Sequence, residues 1–353
     1  MTAAEPGATS IYDREVRPAV GPDVVGEPCE ICDDRRRERR FEVEGIASPI
    51  VVCRGCGLGR FDPMLDGDEI RALYPEDYYG EPGQKFRPIL ERLVRAVAAR
   101  HIGFLSRGLP EGAAILDVGC GRGVIFGPLA DRGFRVFGVE MSEDAVRGCD
   151  PRADVRIAQR LSEAGFEDES FDQVVIWHVL EHIADPFETI RECRRILKPG
   201  GRLIVAVPNF SSAQARWSGP HWFHLDPPRH LYHFSLEALE RLVTRSGFDV
   251  QSAHHFSLRQ NPFGWIQSAL NRFTRQPPGA LYTMLHQQGQ GVKSPLPLPS
   301  RLSMWISLAL MAPFAIGISV LAAWLRTGAT VHVVATRATR DTPAPEDEPR
   351  PPR

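Results

Sequence analysis

Charge of one sign is what this 353-residue chain lacks: 42 lysines and arginines stand against 44 acids, a net charge of −2. The balance removes the broad positive field by which proteins hold a nucleic-acid backbone, so no nucleic-acid partner is expected. The one basic cluster, Arg35 to Arg40, is diluted by neighbouring acids and reads as a solvated loop. A basic start followed by an apolar core is also missing. Met1 to Gly7 carries neither, so no signal peptide is expected and residues 1–26 read as a flexible leader. Residues 339–353, dominated by Pro, Glu, Asp and Arg, hold too little apolar material to bury and read as a disordered tail.

Cysteine is scarce at seven, yet four of the seven are paired in spacing, as Cys29-x-x-Cys32 and Cys53-x-x-Cys56. Two such knuckles about twenty residues apart fit a tetrahedral four-thiolate zinc site. With every ligand a protein thiolate, the site is closed and structural, and residues 27–62 read as a zinc ribbon. The segment looks too poor in apolar residues to fold without metal, so zinc binding would have to stabilise it. Reduced thiols point to the cytoplasm. Cys120, Cys149 and Cys193 read as small buried residues, the first inside the loop described next.

The strongest pattern begins at Ile115-Leu116-Asp117-Val118, an apolar run that enters Gly119-Cys120-Gly121-Arg122-Gly123 and a helix start. Strand, tight glycine turn and helix N-terminus together open backbone amides to a ligand. About twenty residues on, the strand Arg135 to Val139 ends in Glu140, the place where a doubly wound sheet holds a ribose diol. Val124 stands where a dinucleotide site wants its third glycine. Downstream come the strand Phe171 to Ile176, then Trp177-His178-Val179-Leu180-Glu181-His182, then Leu197-Lys198-Pro199-Gly200-Gly201 and the strand Arg202 to Val207. Taken in order over residues 110 to 257, these motifs resemble the class I S-adenosylmethionine-dependent methyltransferases. The resemblance implies an α/β fold: a doubly wound, Rossmann-like seven-stranded sheet with its last strand antiparallel. It implies that Asp117, Gly119, Cys120, Gly121 and Gly123 hold the methionine end of S-adenosylmethionine and that Glu140 takes the ribose. Met141 would pack on the adenine, backbone near Arg160 to Ser162 would read its edge, and Trp177 and His178 would face the sulfonium.

Residues 63–110 read as a linker rich in tyrosine, then a helix from about Phe86 to Leu105; the tyrosines either fold over the cofactor mouth or cover the helix. The methyltransferase domain takes residues 111–257 and 329–338, with Leu236 to Ser246 a helix closed by Gly247. Its final strands, Phe248 to Ala253 and Gly328 to Thr336, are separated by an apolar helical insertion, residues 258–328. Within it Leu302 to Leu325 carries no charge, is bounded by Arg301 and Arg326, and has Trp305 and Trp324 near its ends. That run is long enough to span a bilayer. Both flanking strands must join one soluble sheet, however, and Pro313 and Gly317 should break or bend a helix. A re-entrant or in-plane element is therefore expected, giving peripheral membrane contact through residues 302–325, with Phe263 to Leu270 alongside; packing on the domain or on a second copy is the other reading.

A hydroxyl or acidic-carbon acceptor needs a base. His178, Glu181 and His182 share one face of a helical turn. In quinone O-methyltransferases a similar Glu-x-x-Glu-His run is linked to a divalent ion, and His178 in place of the first glutamate speaks against that role here. A second cluster, His221 to Phe234, holds His224, His230 and His233 with Arg229 at the sheet's carboxyl edge. The base is expected at His182 or His230, with His178 and His233 as further candidates. The function expected is methyl transfer to a small-molecule or lipid-linked acceptor (sugar, glycan or quinone-like) at the cytoplasmic membrane face. Zinc knuckles ahead of this fold also occur in sugar-nucleotide C-methyltransferases, which makes that activity an alternative, though their long C-terminal domain is missing. A non-catalytic binding or assembly module is the other.

Overall fold

The computed structural model describes residues 14–65, 69, 100–289 and 296–339. The tyrosine-rich linker, the first two thirds of the helix expected from Phe86, and the tail beyond residue 339 lie outside them. A small antiparallel sheet comes first, from β1 (Val16–Pro18), β2 (Val24–Val25), β3 (Arg36–Val43), β4 (Ile50–Cys53) and β5 (Gly59–Phe61). Two expectations fail here. Residues 16–25, read as part of a flexible leader, pair twice with β3, and the Arg35–Arg40 cluster is strand rather than loop. The alternation explains both: Arg37, Phe41 and Val43 are buried while Glu42 and Arg36 point outward, so the arginines line a two-faced strand.

The large sheet holds β6 (Ala114–Val118), β7 (Arg135–Glu140), β8 (Asp154–Ile157), β9 (Phe171–Trp177), β10 (Leu197–Pro208), β12 (Phe248–His254) and β13 (Thr330–Arg337), in the order β12-β13-β10-β9-β6-β7-β8. Strands β6 to β10 run parallel, and β13 lies antiparallel between β10 and β12. This is the doubly wound seven-stranded sheet expected. Its order reverses at β6, whose neighbours β7 and β9 lead away on opposite sides, and ligands sit at the carboxyl ends beside such a reversal.

Strand β6 is buried throughout, and its side chains divide by parity. Leu116 and Val118 enter one core; Ile115 enters another with Ile102, Leu105, Phe126 and Val175. The first core is continuous with the small sheet, joining Phe41, Ile50, Leu58 and Phe61 to Leu203, Leu239 and Phe248. The ribbon is therefore not the apolar-poor unit its length suggested, because its buried face is completed by the methyltransferase half. A strand after the big sheet's β10, β11 (Tyr232–His233), pairs with β5 and becomes the edge of the ribbon's sheet.

Short helices fill the crossovers: α1 (Phe126–Ala130), α2 (Glu143–Val146), α3 (Pro186–Ile196), α4 (Ala213–Ser218) and α5 (Leu236–Arg245). Asp185, Ser212 and Ser235 cap α3, α4 and α5 by accepting N–H bonds. The insertion forms α6 (Asn261–Phe273), α7 (Ala280–Gly289) and α8 (Leu298–Trp324). Against the expectation of a break, α8 runs on through Pro313 and Gly317. Both residues are exposed, so the proline ring costs one backbone bond without meeting packed neighbours.

Candidate active site

The glycine loop leaves β6 with Gly119 and Cys120 both donating to the carbonyl of Val139, which ties the ends of β6 and β7 together. Gly119 holds φ +69 and a Cβ there would overlap the Val179 methyls, 2.6 Å away. At Gly121, φ +51, a Cβ would meet nothing among the described residues within 4 Å, the approach a ligand needs. Cys120 offers only backbone, since its side chain is packed beneath Gly138. Glu140, 6% exposed, accepts from the amides of Gly121 (2.9 Å), Met141 (2.8 Å) and Ser142 (3.3 Å), so its carboxylate is aimed across the loop. Burial, then the charge of Glu140, raise the Asp117 carboxyl to about 7.

Across the switch point, Trp177 ends β9 and packs against His101 (ring centroids 3.8 Å) and His332 (4.5 Å). His178 stands at φ +55, rare for a residue with a side chain, and its Nδ1 lies 3.3 Å from Oε1 of the buried Glu181. Because the partner is a carboxylate, Nδ1 carries the proton and Nε2 keeps its lone pair. That Nε2 is buried and finds no hydrogen-bond partner among the described residues, as is the case for ring nitrogens of His101, His224 and His332. Burial holds the imidazole of His101 down to about 4 and that of His224 to about 3, and pushes that of His332 well below the usual range, so all three are neutral near pH 7.

His182 and His230 meet with ring centroids 4.6 Å apart, and their Nδ1 atoms lie 3.0 Å and 2.9 Å from the carbonyls of Arg229 and His224. With Glu181 they bring three ligand atoms within 4.8 Å of one another. Two imidazoles oriented by backbone carbonyls beside a carboxylate form a donor set that suits a divalent cation. His178 in place of a glutamate puts a metal in doubt from the sequence, where His230, arriving from another loop, does not show. His233, a fourth candidate, is committed elsewhere: its Nε2 bonds the Leu225 carbonyl and its backbone pairs with Gly59 of the ribbon. Two residues escaped the sequence reading altogether, His101 and His332. The signal for His332 was present, an imidazole amid the apolar residues of β13, but only the sheet order shows it sharing a row with Ala206 and Trp177.

The four ribbon thiols also converge. Cys29 and Cys56 sulfurs lie 3.7 Å apart, Cys32 and Cys53 3.4 Å, and all four sulfurs fall within 4.8 Å of one another. A tetrahedral zinc with bonds near 2.3 Å sets its sulfurs about 3.8 Å apart, so these thiols fit the ion. Hydrogen bonding with Cys56 holds the Cys29 thiol down to about 5, well below the usual thiol range.

The methyltransferase-domain family matches residues 90–253. A ubiquinone biosynthesis O-methyltransferase from Maricaulis maris is 32% identical over 167 residues, 42% of this chain and 65% of that enzyme, so the chain spans just under two thirds of that relative's length. An enzyme of the same description from Cereibacter sphaeroides strain KD131 is 30% identical over 210 residues, covering 53% of this chain and 83% of its own. The chain belongs to the class I S-adenosylmethionine-dependent methyltransferases. Among solved structures, a SAM-dependent methyltransferase from Archaeoglobus fulgidus is similar at 18% identity and TM-score 0.43, over 69% of this chain and 93% of that one.

The residues of this methyltransferase fit the cofactor of its family. The space over Gly121 would admit the methionine moiety, Glu140 is oriented toward the same side, and Met141 keeps 37% of its surface exposed beside it. An exposed thioether at that point would otherwise be an unexplained apolar residue at a polar mouth.

Proposed function

We propose that this methyltransferase methylates an oxygen of a small lipophilic acceptor, quinone- or phenol-like, at the cytoplasmic face of a membrane. One observation carries the reading. His178 Nε2, at the end of β9 beside the glycine loop, is buried and meets no hydrogen-bond partner among the described residues, and Glu181 backs it through Nδ1. Such a pair is a general base awaiting a hydroxyl proton. This moves the base from His182 and His230 to His178, since the former two direct Nδ1 to backbone carbonyls and face each other. The O-methylation that the relatives carry out in ubiquinone biosynthesis supports oxygen as the acceptor atom.

When bound, S-adenosylmethionine supplies an electrophilic methyl carbon on a sulfonium leaving group. Held there, it would give that carbon up to an acceptor oxygen, with the carbon–sulfur electron pair staying on sulfur. His178 Nε2 takes the hydroxyl proton, and Glu181 stabilises the imidazolium. Asp117 and the loop fix the donor, and the neutral His101, His224 and His332 line the acceptor side with donors and acceptors that carry no charge. Most of the rate comes from holding oxygen, carbon and sulfur in line.

The test pairs purified enzyme and labelled cofactor with catechol and prenylated phenol acceptors and with a lipid extract. Mass spectrometry should place the label on oxygen, and His178→Ala should lower kcat by roughly 10²–10⁴ with cofactor binding little changed. Label on nitrogen or carbon, or a His178→Ala enzyme at the parental rate, overturns the proposal.

A further inference from the structure

Helix α8 is inside out for a soluble protein. The side chains it buries are mostly small, Ala315, Ser319 and Ala322 with Met304, while Leu302, Ile306, Leu310, Phe314, Val320 and Trp324 are exposed, Phe314 by 80%. A helix in a water-soluble core puts its large apolar residues inward. Small residues against protein and large ones outward is the pattern of a helix in lipid. Beside α8 the patch continues through Phe273, Trp217 and Trp265, with Arg272 over the Trp217 ring.

The charge of this part of the chain identifies what covers it. Residues 258–328 contain Arg259, Arg272, Arg275, Lys293, Arg301 and Arg326 and no Asp or Glu, in a chain whose total is −2. Gln276 reaches Ser300, so Arg275 and Arg301 share one end of α8, and Arg326 stands at the other. A second copy would bring a matching set of cations against these with no acid to pair them. An anionic leaflet supplies the missing charge and receives the apolar face together.

We infer that the 258–328 insertion docks this enzyme on the surface of an anionic bilayer, with α8 lying in the plane of the leaflet. The helix is held along its length. Met304 and Ala315 share a core with Ile266, Leu270 and Met284 of α6 and α7, and at the far end Ala213 donates to Thr327 just before β13. Neither end is free to cross. The dock also touches the site: Gly264 of α6 approaches His224 Nε2 so closely that a Cβ would lie 2.7 Å from it. The membrane thus lies one helix away from the imidazoles proposed to line the acceptor side. This deepens the proposed function and rests on its membrane-face reading.

The test is co-sedimentation of the full zinc-loaded chain with vesicles of phosphatidylcholine alone or mixed with phosphatidylglycerol. At low salt, binding to the anionic vesicles should exceed binding to the neutral ones by about tenfold or more, and high salt should narrow the gap. Arg272→Gln/Arg275→Gln/Arg326→Gln should fall to the neutral-vesicle level, and Leu310→Ser/Phe314→Ser should weaken binding to both. Equal binding to both vesicles with no effect of the arginines, no binding to either, or a stable dimer that the Leu310/Phe314 variant dissociates would each overturn the inference. Cofactor binding measured by calorimetry on the same preparations separates the two readings. Vesicle binding can fail while cofactor heat persists, which removes only the dock; the converse removes only the methyl-transfer reading.

Discussion

At the scale of single residues the site rests on three groups whose roles can be separated. Glu140 is fixed by three amides and turned across the loop. Losing hydrogen bonds to a charged group costs about 1.5–3 kcal/mol, so Glu140→Ala should raise the cofactor Kd about tenfold or more by calorimetry. Asp117 gives a pH dependence with a definite sign. Burial in the fold raises its carboxyl to about 7 from its ordinary 3.8, so the folded chain keeps a proton the unfolded chain releases. Its contribution to stability therefore falls as pH rises from about 4 to 7. A cationic ligand needs the ionised form, so cofactor affinity should rise from pH 6 to pH 8 with proton release, and Asp117→Asn should weaken binding and flatten that profile. A parental profile in Asp117→Asn would exclude Asp117 from the cofactor's charge. Glu181→Gln tests the backing of His178: kcat should fall with KM for the cofactor held, and a drop in cofactor affinity alone would contradict it.

At the scale of elements, how much could be read from the sequence depended on whether a residue acts with its neighbours in the chain or across it. The β6 run, the glycine loop and Glu140 are legible because strand, turn and acceptor fall within some thirty residues, and the structure places them together. His230 beside His182, and His332 beside Trp177, are contacts between distant segments, and periodicity carries no trace of them. The ribbon failed differently. Its cysteine spacing was plain, but its hydrophobic partners belong to α5 and β11, so counting apolar residues within 27–62 underestimated its core. That joint has a consequence. Ser235, the cap of α5, donates to the Cys56 carbonyl, and Arg245 donates to the Ile31 carbonyl, so both knuckles brace the segment that follows the histidine cluster. Cys53→Ser or chelation should remove about one zinc per chain, lower the thermal midpoint, and alter the fluorescence of the buried Trp222, since structural zinc contributes folding energy directly. Metal analysis and melting curves would show it; a zinc-free chain that melts and fluoresces like the parent would mean the thiols do not hold the joint.

At the scale of the whole molecule, α6 lies between the histidines proposed to line the acceptor side, which Gly264 meets at His224, and the apolar helix α8 proposed to dock. The large sheet reverses its order at β6, and the insertion falls between β12 and β13, an antiparallel pair at the sheet's edge, so the chain leaves and rejoins the sheet there. The strand order is the one expected with the insertion in place, while the continuity of α8 through Pro313 could not be read from the sequence. Everything about chemistry depends on the site accepting its donor. Isothermal calorimetry of the zinc-loaded chain with S-adenosylmethionine, and with its demethylated product, addresses this directly. The account predicts saturable heat with both ligands at one site per chain, weakened by Glu140→Ala. No heat with either ligand, or heat that Glu140→Ala leaves unchanged, would contradict it.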